Sequence, residues 1–292
     1  MDMANEQASG RSGRVLVTGG TGTLGRLVVP LLRDAGRDVR VLSRRRGEAA
    51  EGVELVVGDL DAAVGIDRAL DGAEVIVHCA GSRKGDEDKA LNLVRAASRN
   101  GGIQHLVFIS VVGADGVPVT SRADRMMFGY FASKLAAERV VGESGLPWTT
   151  LRATQFHDLF LTTVRQMAKL PVVPVPAGFR FQPVDTGEVA ARLAELVLEA
   201  PAGLVPDVAG PRIYEMDDLV RAYLRACGKR RRFVHVPLPG RAAGAVRAGA
   251  NLAPDNAVGR RTWEEFLAER VGPPGRGVAG VQEHGNLRAS KG

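Results

Sequence analysis

The sequence predicts a doubly wound α/β fold: a parallel sheet with helices on both faces, followed by a smaller C-terminal lobe. Three observations carry this. Strand-length apolar runs alternate with helix-length segments through the first half of the chain. Those runs are continuous instead of alternating with polar residues, as in strands covered on both sides. A glycine-rich turn, Gly19 to Gly25, joins the first apolar run to the first helical segment.

Taken in order, strands are expected at Val15–Thr18, Val39–Ser43, Val53–Val57, Ala73–Cys79, His105–Ser110 and Trp148–Leu151. Helices are expected at Leu24–Ala35, Ala62–Leu70, Asp88–Asn100, Ser133–Ser144 and Thr186–Glu199. Gly145 and Pro147 stop the fourth helix, and Asp185 or Thr186 caps the fifth. Beyond them Pro and Gly become frequent, with two short helices at Met216–Cys227 and Thr262–Arg270. The expected division is a disordered N-terminus 1–13, a sheet domain 14–155 with 183–203, a lobe 156–182 with 204–271, and a disordered tail 272–292.

With 45% hydrophobic and 25% charged residues, the 292-residue chain has the make-up of a soluble globular protein. Aromatics are only 5%, which excludes a stacking platform for single-stranded nucleic acid. The net charge of +6 comes largely from arginine runs such as Lys229–Arg232, with no zinc-finger or basic-zipper pattern beside them; no nucleic-acid partner is expected. Two cysteines, Cys79 and Cys227, make neither a disulfide framework nor a metal-binding spacing, so no metal is expected. The N-terminus is polar, and no run approaches the roughly 18 apolar residues of a membrane span. The expectation is a cytoplasmic protein, monomer or homodimer, with no membrane partner.

The glycine turn is where ligand chemistry first shows. Glycine permits positive φ and close backbone approach, and the unpaired N–H groups opening a helix suit a phosphate. The second strand ends Ser43-Arg44-Arg45-Arg46, with no acidic residue to bind a ribose 2′-hydroxyl. A 2′-phosphate matches an arginine fork, which favours NADP(H) over NAD(H); Arg46 fits a solvated loop better. Asp59, after the third strand, stands either as an acceptor for an adenine amino group or as a helix N-cap. Cys79 reads as a small buried residue, not a nucleophile. Tyr130 and Lys134 are four apart, so on a helix they share a face, and an ammonium makes a phenol a better acid–base group.

The turn TGGTGTLG (Thr18–Gly25) resembles that of the short-chain dehydrogenase/reductase superfamily in its extended and atypical branches. SVVGAD (Ser110–Asp115), KLAAERVVGESGLPWTTLRATQFHD (Lys134–Asp158), FQPVDTGEVA (Phe181–Ala190) and RRTWEEFLAE (Arg260–Glu269) resemble the NmrA-like NAD(P)-binding reductases, so the likeness covers nearly the whole chain between its ends. It implies a Rossmann sheet with a substrate-binding lobe. It implies Gly19 as the turn, Gly22 admitting a pyrophosphate and Gly25 allowing helix–strand packing, with Thr21, Thr23 and Leu24 around them. Ser43, Arg44, Arg45, Asp59, Leu60, Cys79, Ala80, Gly81 and Lys134 complete the cofactor site, and Ala153, Thr154, Gln155 and Phe156 lie over its nicotinamide end. Val112, Gln155, Phe156 and His157 become substrate-pocket residues, His157 with a structural reading beside it.

The same resemblance makes Tyr130 the proton donor, Lys134 its modulator and ribose anchor, and Ser110 the residue that orients a carbonyl. Two features depart from the pattern: Ser110 and Tyr130 are close in sequence, and Val111 stands where many relatives carry a second serine. Tyr130 therefore keeps an alternative as a structural or pocket residue, and Lys134 one as a surface partner of Glu138. The expected function is an NADPH-dependent oxidoreductase that passes hydride to a small-molecule carbonyl, quinone or related conjugated substrate. The alternative is a non-catalytic NADP(H)-sensing regulatory protein, and sugar-nucleotide epimerisation is a weaker third.

Overall fold

The computed structural model describes residues 13–47, 50–82 and 85–271. The expected disordered ends lie outside the described residues, except for Gly13. The chain runs β1 (Arg14–Thr18), α1 (Gly25–Asp34), β2 (Val39–Ser43), β3 (Val53–Val57), α2 (Ile66–Leu70), β4 (Ala73–His78), α3 (Asp86–Asn100) and β5 (His105–Val111). Then come α4 (Arg122–Gly142), β6 (Trp148–Ala153), α5 (His157–Met167), β7 (Val172–Pro176), β8 (Arg180–Phe181), α6 (Thr186–Leu198) and β9 (Gly203–Leu204). The chain closes with β10 (Tyr214–Glu215), α7 (Met216–Ala226), β11 (Arg232–Val236), α8 (Arg241–Ala248), a 3-10 turn (Pro254–Asn256) and α9 (Trp263–Val271).

The central sheet has the order β3-β2-β1-β4-β5-β6-β9 and is parallel throughout. It is the Rossmann arrangement. Strand order reverses between β1 and β4, which leaves a crevice beyond their carboxyl ends. One face carries Val15, Val17, Val75, Val77 and Val107 against α1 and α6; the other carries Leu16, Ile76, Leu106 and Phe108 against α2, α3 and α4. Alternate residues of one strand thus feed two separate cores, which is why the strands read as unbroken apolar runs.

Buried cations are matched individually. Arg40, 5% exposed, binds Glu54 and three carbonyls at the end of α2. Arg152 of β6 forms a two-toothed pair with Glu138 of α4 at 2.9 and 2.7 Å and takes Asp115 at 2.9 Å. Glu138 is therefore committed to Arg152 and not to Lys134.

Two of the expected helices start well away from their expected positions, and α5 and α8 were not expected. α4 begins at Arg122, not Ser133, because Ser121 and Asp124 form a reciprocal capping box. Tyr130 and Lys134 accordingly sit in mid-helix. α2 is shorter than expected because Asp59 and Val64 pair across a turn and Gly65 enters the helix at φ 74°.

The lobe has more structure than the Pro/Gly-rich sequence suggests. β7 and β11 pair in parallel, β8 and β10 antiparallel, and α5, α7 and α9 close over them. Leu161, Val164, Val173, Leu219, Trp263 and Phe266 share this third core. A fourth cluster joins Phe128 of α4 to Phe179, Ala243 and Val246, so α8 packs directly on α4. No helix among the described residues is long and apolar enough to cross a membrane.

Glu138→Gln removes the two-toothed partner of Arg152 but leaves Asp115. The expected loss is about 2 kcal/mol, read as a lower urea midpoint with an unchanged m-value.

Candidate functional site

The crevice is lined first by the β1–α1 turn. Gly19 has φ +70°, and a Cβ there would stand 2.6 Å from the Ala80 nitrogen, so the turn presses against the end of β4. A Cβ on Gly25 would overlap the Gly19 carbonyl oxygen. One on Gly22 would meet only that same oxygen, at 3.2 Å, and otherwise open space. Gly19 and Gly25 are thus required by backbone packing, while Gly22 keeps the outer side of the turn clear. Gly20 belongs to the expected glycine-rich turn without a separate role, and its Cβ would strike Val41 at 2.7 Å.

No side chain caps α1, and the N–H groups of Thr21, Thr23 and Leu24 have no backbone acceptor among the described residues. Unpaired donors at a helix start form an anion cradle. The Leu24 side chain is buried; its contribution to the turn is its backbone. At the end of β2, Ser43 bonds the Arg45 backbone at 3.0 and 3.2 Å, which holds the chain in a tight bend. The exposed Arg44 and Arg45 guanidiniums have no ion pair among the described residues. These features fit a phosphorylated dinucleotide.

Asp59 accepts the Asp61 N–H at 2.8 Å and does not cap α2, whose cap is Gly65. Leu60 is buried, Cys79 and Ala80 are half-buried, and Gly81 is exposed. Burial pushes the Cys79 thiol up to about 12, so it remains a thiol. His78, beside it, bonds Thr18 Oγ1 through Nδ1 at 2.7 Å. Burial, then the Lys134 and Lys89 ammonium groups, lower its pKa to about 3.

Lys134 is 3% exposed. Its ammonium donates to the Ile109 carbonyl at 3.1 Å, pairs with Asp86 Oδ2 at 3.2 Å, and lies 4.9 Å from the Phe108 ring centre and 6.0 Å from that of Tyr130. Ser110 follows Phe108 by two residues, so both face α4. The Ser110 hydroxyl is buried without a partner. Tyr130 is 38% exposed, and partial desolvation of its phenol, followed by the Asp86 carboxylate, holds that phenol above the usual range. Asp86 was not among the residues expected here. The helix was expected to begin at Asp88, whereas α3 begins at Asp86, so this carboxylate lies just outside the expected helix.

At the end of β6, Ala153 is buried against the sheet core, while Thr154 Oγ1 and Gln155 Oε1 are buried without partners. Phe156 bridges to Val184 as the chain enters α5. Val112 is 4% exposed and packs on Ala209 and Ala253. His157 is fully buried, with its ring centre 5.0 Å from Phe266 and 5.8 Å from Trp263, which is the environment of the structural reading kept beside the pocket one. Among the described residues no cluster of three or more His, Cys, Asp or Glu has metal-binding geometry.

Comparison with known proteins agrees with this geometry. A family model described as NAD(P)H-binding matches residues 19–198. A (4-alkanoyl-5-oxo-2,5-dihydrofuran-3-yl)methyl phosphate reductase of Streptomyces griseus is 30% identical over 227 residues, covering 75% of this chain and 76% of that protein. In structure, the chain is similar to an NADPH-dependent quinone oxidoreductase from Escherichia coli, with TM-score 0.70, 18% identity, and 88% and 99% of the two chains covered. It is similar also to the Citrobacter sp. triphenylmethane reductase solved with NADP(H), with TM-score 0.69, 19% identity, and 88% and 99% covered. At these identities the two structures show the fold alone.

The buried histidines set an acid limit on stability. Burial lowers His157 to about 4 from 6.5, so the unfolded chain takes up that proton first as pH falls. The stabilisation is complete above pH 6.5 and disappears as pH falls towards 4. His157→Phe is expected to flatten that side of the urea-midpoint-versus-pH curve by on the order of 3 kcal/mol.

Proposed function

The chain belongs to the NAD(P)H-binding family, among the NmrA-like short-chain dehydrogenase/reductases, and from that premise we propose that it is an NADPH-dependent oxidoreductase. Its substrate is a small-molecule carbonyl, quinone or related conjugated compound, and Tyr130 is the proton donor. One observation carries the reading: the Lys134 ammonium lies 6.0 Å from the Tyr130 ring, with the unpartnered Ser110 hydroxyl on the same side of the sheet.

Each residue has a definite task. The N–H groups of Thr21, Thr23 and Leu24 receive the pyrophosphate, and Gly22 leaves room for it. Arg44 and Arg45 clamp the 2′-phosphate, with Ser43 fixing the bend that presents them. Asp59 and Leu60 lie at the adenine, and Cys79, Ala80 and Gly81 pass the ribose with little bulk. Ala153, Thr154, Gln155 and Phe156 bound the nicotinamide end. When bound, the reduced dinucleotide supplies a hydride. Ser110 orients the substrate oxygen, and the Tyr130 hydroxyl gives that oxygen its proton. Lys134 holds the ribose and steadies the tyrosinate left behind. The raised phenol suits this direction of transfer, since Tyr130 remains protonated at neutral pH.

Two measurements test it. Purified protein offered NADPH with ketones and quinones is expected to oxidise the cofactor, and Tyr130→Phe to lower kcat by about 10²- to 10⁴-fold with NADPH affinity unchanged. NADP(H) binding without turnover on the whole panel would favour a cofactor sensor instead. Arg44→Ala and Arg45→Ala are each expected to weaken NADPH binding about tenfold or more and to leave NADH binding as it was; equal losses for both cofactors count against the 2′-phosphate clamp.

A further inference from the structure

Asp86 is the first residue of α3 and is 0% exposed. A buried carboxylate persists only where its charge is matched and its lone pairs are occupied. Here Oδ1 accepts the Ser82 backbone N–H at 2.7 Å and the Ser82 hydroxyl at 3.2 Å, while Oδ2 stands 3.2 Å from Lys134 Nζ. The Asp86 backbone N–H donates to Ser133 Oγ at 3.2 Å, which fastens the start of α3 to α4 one residue before Lys134. Lys89, the other cation nearby, is drawn off by Asp61 at 3.2 Å and by the Ser82 hydroxyl at 2.6 Å, and remains 3.9 Å from Asp86. Gly81 contributes by omission: a Cβ there would stand 3.2 Å from Lys134 Nζ.

We propose that Asp86 is the positioning residue of this site, which holds the Lys134 ammonium against the Tyr130 side of α4 and offsets its charge. The inference rests on reading Tyr130 and Lys134 as the working pair. The Ile109 carbonyl accepts one of the three N–H bonds of Lys134, and the Asp86 carboxylate offsets the charge at 3.2 Å as an ion pair, which leaves donors for cofactor or phenol. An ammonium alone draws a phenol towards tyrosinate; desolvation first, and then the Asp86 carboxylate, pull the other way, so Tyr130 keeps its proton. The other titratable groups facing the pair are His78 and Cys79 from the end of β4, and Lys89 of α3 with its partner Asp61. His78 is held neutral at about 3 and Cys79 as a thiol at about 12, so neither changes charge near neutral pH.

The test uses Asp86→Asn and the charge-preserving Asp86→Glu. Asp86→Asn is expected to shift the alkaline limb of kcat/KM to lower pH by about one unit, with Asp86→Glu retaining most of the wild-type limb. A second readout needs no turnover: tyrosinate absorbance of the cofactor-free protein, with the Tyr130→Phe trace subtracted. Asp86→Asn is expected to bring the Tyr130 titration to lower pH there as well. An unmoved titration overturns the proposal; a moved titration in a protein that fails to oxidise NADPH upholds the positioning role and removes only the catalytic reading. If Asp86→Asn does not fold, Lys134→Met is compared with the Asp86→Asn/Lys134→Met double variant in urea. The double variant is expected to be the more stable, since the single one leaves Asp86 charged and alone, and the reverse order overturns the pairing.

Discussion

The close approach of the Gly19 backbone to Ala80 is the contact on which the rest of the molecule depends. It occurs where strand order reverses, so β1 and β4 are neighbours whose following segments leave in opposite directions. A side chain at position 19 would force the turn away from β4. The N–H groups of α1 would then no longer converge on the crevice, and Gly25 would lose its seat on the Gly19 carbonyl. Everything further along, from the bend at Ser43 to the α4 helix, is placed relative to that junction by the parallel register of the sheet.

Charge is distributed around the crevice in two ways. Inside, the buried cations have carboxylate partners: Arg152 with Glu138, Lys134 with Asp86, Lys89 with Asp61. At the rim, Arg44 and Arg45 have no such partner among the described residues. Matched pairs are locally neutral and orient side chains, whereas unmatched guanidiniums project a field that attracts an anion. This division separates locally neutral pairs that orient side chains from unpaired charge at the rim.

The inner strands of the sheet were legible because parallel strands covered on both faces leave continuous apolar runs, as in β1, β4 and β5; the bounds of β2 and the edge strand β3 are also as expected. The glycine turn was legible because backbone packing at Gly19 and Gly25 tolerates no side chain. The first half of α4 was not, because exposed Met126 and Met127 and the mid-helix Gly129 break its apolar period. In the lobe, β8 and β10 are two residues each and β7 carries Pro174, below what periodicity can register. His157 looked like a pocket group because sequence gives no sign of the Trp263 and Phe266 rings that cover it from more than a hundred positions away. Asp86 was hidden for a related reason: its partner Lys134 lies on another helix.

The packing of α8 on α4 joins the lobe to the helix that bears Tyr130. Phe128, two residues before that tyrosine, is wedged among Phe179, Ala243 and Val246. The lobe and α4 therefore share one mechanical linkage: a change in the packing of α8 also presses on the helix that bears Tyr130. A chimera that exchanged the lobe alone would place a foreign surface against Phe128.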